Sequence, residues 1–440
     1  ILKRKNNVKN TALATKLTMV KANEWRPLLW SFCYFLSLLC AYYIIRPIRD
    51  EMGVAGGVEN LQWLFTATFL AMLLLVPIFG WITSRYPRKI FLPLIYYFFI
   101  SNLIIFFLAF ESVAERLYVA RIFFVWASVF NLFAVSVFWS FMTDLFSEEQ
   151  SKRLFTLIAA GGTCGALVGP ALTVLLVNPL GANNLLLVSA ALLCISVFSI
   201  KQLSQWRTTR GTAKLTDTAY NPIDNEPLGG SILAGIRLVI QSPYLLGICL
   251  LMLFFSTLAT FLYFQQAQII QDHFSDRESR TAVFALVDFA TNILTLILQV
   301  FITARLIEKF GLPIVLSVVP MLLAIGFGVL ALAPGLVTII MVQTIRRAGN
   351  YAIMRPAREM LYVVLEREKK YKAKNFIDTS VYRAGDVMSA WAYTGLQTMG
   401  LSLAGIAILS VPLAFIWAKL CHSLGKEQLQ LAEKQQKDEV

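Results

Sequence analysis

Long apolar stretches, broken by short polar ones, dominate the chain. They lie at about 27–48, 61–82, 90–110, 117–142, 154–177, 183–200, 243–266, 281–303, 312–333, 336–362, 376–399 and 401–420. Each reaches the roughly 18 residues needed to cross the hydrocarbon of a bilayer as a helix. None shows the period-two alternation of a membrane strand, and lipid tolerates only helices or closed barrels. The pattern predicts an all-α polytopic membrane protein with 12 transmembrane helices. A polar stretch from Gln202 to Gln241 separates the sixth from the seventh. It carries the turn signals Asn221-Pro222 and Glu226-Pro227-Leu228-Gly229-Gly230. The expected organisation is therefore a basic segment at 1–25, a six-helix half at 26–201, a cytoplasmic linker at 202–242, a second half at 243–421 and a tail at 422–440.

Polar residues inside these stretches are the candidates for chemistry. A charge near the bilayer centre costs about 2.5–3.5 kcal/mol on insertion scales, so such residues mark sites by default. The tenth stretch carries Arg346, Arg347, Tyr351, Arg355, Arg358 and Glu359. At 100° per residue, Arg347, Tyr351, Arg355 and Arg358 fall within about 80° of one another. The first ends in Tyr42, Arg46, Pro47, Arg49 and Asp50, with Pro47 expected to loosen the helix. The eighth aligns Asp288, Asn292, Thr295 and Gln299. The eleventh aligns Asp378, Tyr382, Asp386, Ser389 and Tyr393, with Arg383 beside them. Arg46, Arg49, Asn292, Arg347, Tyr351, Arg355, Arg358 and Arg383 are the candidate substrate contacts. Asp50, Asp288, Asp378 and Asp386 are candidates for charge balance or proton coupling. The plainer alternative is an internal salt-bridge network that only holds helices together.

Composition narrows the function. The chain has 440 residues, 57% hydrophobic and only 15% charged, which excludes an ordinary soluble domain. The net charge of +13 does not point to nucleic acid. Basic residues follow the second, fourth, sixth, eighth and tenth stretches, whereas the loops after the fifth, ninth and eleventh lack them. The positive-inside rule then places both termini in the cytoplasm, with an inner membrane as the expected location. The six cysteines form no C-x-x-C pair and read as packing residues. No phosphate-cradling loop, zinc-protease motif or nucleophile–base pair is apparent. We expect neither catalytic residues nor a metal or cofactor.

The halves echo each other. Gly80–Lys89 follows the second stretch, and Ala304–Gly311 follows the eighth. Ser147–Phe155 follows the fourth, and Glu366–Phe376 follows the tenth. Six helices, a linker and six matching helices is a parallel-repeat transporter layout. The Gly80–Lys89 loop resembles the loop signature of the major facilitator superfamily, with Ser84 where that superfamily usually has Asp. Gly165-x-x-x-Gly169-Pro170 resembles the fifth-helix motif of its antiporters. The resemblance implies that every third helix is peripheral.

A narrower resemblance rests on Arg355-Pro-x-Arg358-Glu359, Tyr371-Lys372-Ala373-Lys374-x-Phe376-Ile377-Asp378 and Arg383-x-Gly385-Asp386. These are similar to the bacterial and plastid ATP/ADP translocases, and Arg46-x-x-Arg49-Asp50 is similar to that family's first-helix stretch. The chain departs from the family in having Arg49 for Lys. It also has no acidic residue in Phe124–Phe138 or Leu250–Phe264. The resemblance implies exchange of nucleotides against inward basic residues. The expectation is a secondary transporter of an anionic, phosphorylated metabolite, acting as a monomer by alternating access. A proton-coupled carrier of another solute or amphiphile stays open, as does a non-transporting membrane receptor or assembly factor.

Overall fold

The computed structural model describes residues 20–21, 24–85, 88–112, 116–211 and 238–438. Most of the basic N-terminal segment, the centre of the linker and the side chains of the Gly80–Lys89 loop other than Arg85 lie outside the described residues. The first nine predicted spans appear as α1 (Trp25–Ala55), α2 (Leu61–Arg85), α3 (Arg88–Ser112), α4 (Arg116–Leu145), α5 (Glu148–Leu180), α6 (Asn184–Gly211), α7 (Pro243–His273), α8 (Arg277–Phe301) and α9 (Thr303–Leu332). The tenth is broken into α10 (Leu336–Gly349), a π turn (Asn350–Met354) and α11 (Arg355–Leu361). The eleventh is α12 (Arg367–Phe376), a second π turn (Ile377–Val381) and α13 (Tyr382–Thr398). The twelfth, α14, is one 36-residue helix from Leu403 to Asp438, so the expected tail continues as helix. Pro47 lies inside α1 without ending it.

The described chain forms two compact units. Unit 1 comprises 1–52, 71–219 and 277–289; unit 2 comprises 53–70, 220–276 and 290–440. Each therefore includes a short piece of the opposite sequence half, and α8 is divided between them. The same pairing recurs in each unit: α3 packs on α6 in unit 1, and α9 on α14 in unit 2. In unit 2 the start of α9 turns at Gly311, whose φ of 70 suits glycine alone.

Within unit 1, α1 is gripped on several faces. Gly161, Gly165 and Gly169 of α5 lie against its backbone. A Cβ on Gly165 would stand 2.4 Å from the Leu36 carbonyl oxygen, and one on Gly169 2.7 Å from that of Cys40. The small-residue stripe thus lets two helices meet at backbone distance. On α6, Ser196 shares a 2.7 Å hydrogen bond with Ser37, and Ser189 donates to the Ala41 carbonyl at 3.3 Å. The Tyr34 hydroxyl donates to that of Tyr96 on α3 at 2.6 Å, and Tyr96 passes a bond on to the Ala134 carbonyl of α4. Buried hydroxyls paired in this way hold α1 in one rotation.

The entry to α1 is anchored separately. Arg153 on α5 forks onto Glu24, with Nη1 donating to Oε2 and Nη2 to Oε1, both at 3.1 Å. Gln150 adds a third bond at 3.0 Å while closing a capping box with Ser147. Burial raises the Glu24 pKa, but these bonds and the Arg153 charge outweigh it and hold the carboxyl down at about 2.

Three outcomes are expected. Gly165→Ala forces α1 away from α5 at Leu36 and Cys40 and should cost about 1–3 kcal/mol, read as a lowered Tm in detergent. Gly328→Ala, where a Cβ meets nothing within 4 Å, should not lower Tm and should stabilise the helix by up to about 1 kcal/mol. Glu24→Gln should lower Tm at neutral pH. Because folding depresses this pKa, its contribution is full above the unfolded value and lost as pH falls towards 2. The gap between wild type and Glu24→Gln should therefore narrow between about pH 4.5 and pH 2.

Candidate functional site

In unit 2 the π turn of the tenth span governs where its arginines go. Arg355 donates its backbone N–H to Asn350, five residues back, so the Tyr351 carbonyl loses its helical donor. Pro356 has no N–H to offer the Ala352 carbonyl. Both freed carbonyls are served from neighbouring helices. Gln299 Nε2 of α8 donates to Tyr351 at 3.4 Å, and Thr303 Oγ1 of α9 donates to Ala352 at 2.9 Å. The helix is held open at this point by donors placed to suit it.

The extra residue in the turn rotates all that follows by about 100° relative to a regular helix. The single basic face expected for Arg347, Tyr351, Arg355 and Arg358 is therefore not formed. Arg347 and Arg358 are buried, at 7% and 8% exposure, while Arg355 is exposed and Tyr351 half-buried. Arg346 turns back along its own helix and donates to Gln343 at 2.8 Å, and Gln343 donates to Gln266 of α7 at 2.6 Å.

The eleventh span faces this from its own π turn. Asp378 pairs with Arg358 at 3.6 Å, and Arg358 also approaches the Met252 sulfur at 2.9 Å. Lys374 pairs with Glu359. Asp386 is buried, accepts from Ser256 Oγ of α7 at 2.6 Å and lies 3.5 Å from Arg383. Gly385 lets α7 come close, since a Cβ there would meet Ser256 at 3.1 Å. Asn292 is half-buried on the part of α8 that belongs to unit 2. Ser256 and Gln266 went unnoticed in the sequence because only charges were sought in the seventh span, where these polar residues interrupt an apolar run.

In unit 1 the first-span candidates divide between partners. Arg46 lies 3.7 Å from Asp288, which is 1% exposed. Arg49 donates Nε to Asp50 at 3.0 Å, with its guanidinium 5.2 Å from the Phe124 ring of α4. That ring occupies the first position of the acid-free stretch Phe124–Phe138. A further ion cluster lies beside them: Glu51, wholly buried, receives Arg280 Nη2 at 3.0 Å and Arg277 Nε at 3.3 Å. Neither arginine stood out in the sequence, since both precede the apolar stretch that begins at 281. Among the described residues no cluster of His, Cys, Asp and Glu is arranged to hold a metal.

Ten of these helices are long and apolar enough to cross a membrane by themselves. The chain is 22% identical to ADP,ATP carrier protein 1 of Chlamydia muridarum, over 94% of its length and 90% of that protein's. It is 22% identical to the ADP,ATP carrier protein 1 of Chlamydia trachomatis serovar D, over 94% and 91%. Among solved structures it is similar to the POT family transporter PepTSo, with TM-score 0.64, 13% identity and 92% and 98% coverage. The nucleoside transporter NupG gives TM-score 0.59 at 10% identity, with 92% and 99% coverage. The Major Facilitator Superfamily profile matches residues 28–357. The helix pattern, the fold and this match agree: the chain is a multi-pass membrane transporter belonging to the Major Facilitator Superfamily.

Proposed function

We propose that this transporter carries an anionic, phosphorylated metabolite of nucleotide type across an inner membrane, by exchange. One observation carries the reading. The tenth and eleventh spans carry Arg346, Arg347, Arg355, Arg358 and Arg383 along with Asp378 and Asp386, with Glu359 taken by Lys374. On these two spans five guanidinium groups stand against two carboxylates, and such charge is costly inside membrane helices. A di- or triphosphate would neutralise it, and arginine suits phosphate because its fork donates two parallel bonds. The likeness to ADP,ATP carriers agrees with this cargo, and the monomer and cytoplasmic termini belong to the same reading.

Roles follow from position. Arg347, buried immediately before the π turn, and Arg49 and Arg46 on α1 are assigned as phosphate contacts. Arg358 and Arg383 each share their charge with an aspartate, and exposed Arg355 provides the approach. Tyr351 and Asn292 orient the cargo. Asp50, Asp288, Asp378 and Asp386 balance charge between turnovers. Asp386, buried and held by Ser256, is also the carboxylate best placed to carry a proton in the alternative, proton-coupled reading.

Purified protein in liposomes loaded with unlabelled ADP should take up labelled ATP by counterflow. Arg347→Ala should lower that flux about 10–100-fold, the range for losing one charge-assisted contact, while exposed Lys419→Ala should not. No flux across a panel of nucleotides, beside uptake of a neutral solute driven by a pH gradient, would replace this reading with the proton-coupled one. In that case Asp386→Asn should abolish the pH-driven signal.

A further inference from the structure

The Glu51 cluster sets one buried carboxylate between two guanidinium groups. Arg46 pairs with Asp288, and Arg49 with Asp50. Glu51 answers two guanidinium groups, one at each carboxylate oxygen. Arg277 and Arg280 are three residues apart on α8 and so share a face. Arg277 is bounded further by the Phe110 ring at 5.4 Å and the Met52 sulfur at 3.7 Å. Thr281, next along the helix and wholly buried, has a hydroxyl that makes no hydrogen bond within the described structure. Two arginine forks around one set of carboxylate oxygens form a donor array that suits a phosphate equally well.

We propose that Arg277 and Arg280 form an anion subsite for the phosphate of the cargo, which Glu51 fills from within the chain until cargo displaces it. The inference rests on the anionic-cargo reading above. Glu51 lies on the first span and the arginines head the eighth, so the contact joins the two sequence halves at the end that the loop charges place outside. Separating it without a substitute leaves charges stranded in a buried place. An incoming phosphate removes that obstacle by taking over both guanidinium groups, and the freed carboxylate is driven off by like-charge repulsion. The empty carrier is thereby discouraged from opening at this end. Exchange in preference to leak follows from the arrangement.

The test uses Met52→Cys, a buried position touching Arg277, in the full chain with Cys33, Cys164 and Cys194 changed to serine; the remaining cysteines are buried. Labelling by a membrane-impermeant maleimide is followed in proteoliposomes with pyrophosphate or with potassium chloride at matched ionic strength. Pyrophosphate should accelerate labelling about tenfold. Glu51→Gln should label fast with either salt, and Arg280→Gln should lose the pyrophosphate response. Equal labelling in both salts without those changes, or Glu51→Gln labelling as slowly as its parent, would overturn the proposal. Should Glu51→Gln fail to fold, the double variant Glu51→Arg with Arg280→Glu restores a pair. It should label slowly and ignore pyrophosphate, and a normal acceleration there would also overturn the subsite. Nucleotide counterflow measured alongside separates the two readings. A pyrophosphate response without nucleotide flux removes the nucleotide cargo and keeps the subsite; flux without the response does the reverse.

Discussion

A guanidinium group cannot escape its charge by giving up a proton, even in hydrocarbon. Each arginine carried into a membrane helix therefore dictates something about its surroundings: a carboxylate, a polar neighbour or an anion from outside the chain. That requirement runs through both units. In unit 1 it brings α8 to α1 through Asp288 and Glu51. In unit 2 it draws α13 and the turn before it towards the tenth span through Arg358 and Asp378. Under the function proposed above, an anionic cargo would meet the same requirement from outside the chain.

The broken tenth span shows how backbone chemistry serves the same end. A regular helix would point Arg347 and Arg358 along one stripe with Arg355. The turn at Asn350–Met354 leaves Arg347 and Arg358 buried and Arg355 exposed. Opening a helical ladder inside a membrane leaves carbonyls that water cannot reach. Gln299 and Thr303 meet that need, so part of the polar face of α8 completes another helix's backbone.

The spans themselves were readable because lipid imposes a minimum run of apolar residues, and run length survives any detail of packing. The glycines of α5 were readable for a similar reason, since Gly165 and Gly169 share a face in any regular helix. The side-chain directions in the tenth span were not, because a helical wheel assumes 100° per residue and a single π turn invalidates it downstream. Pro356 was the available warning. Glu51 was hidden by its neighbour: Asp50 already had an obvious partner in Arg49, and nothing local marks the next acid as belonging to a helix more than 220 residues away. Its partners Arg277 and Arg280 also interrupt the loop charge pattern. Their pairing with Glu51 accounts for basic residues on the side where few were expected.

The glycine contact between α5 and α1 has a mechanical meaning. Side chains between helices act as a cushion that shears by rotamer changes. Where backbone rests on backbone, with a missing Cβ at each step from Phe32 to Tyr43, no such cushion exists. The two helices then travel as one girder. Any displacement along α5 is delivered undiminished to Arg46, Arg49 and Glu51 at the far end of α1.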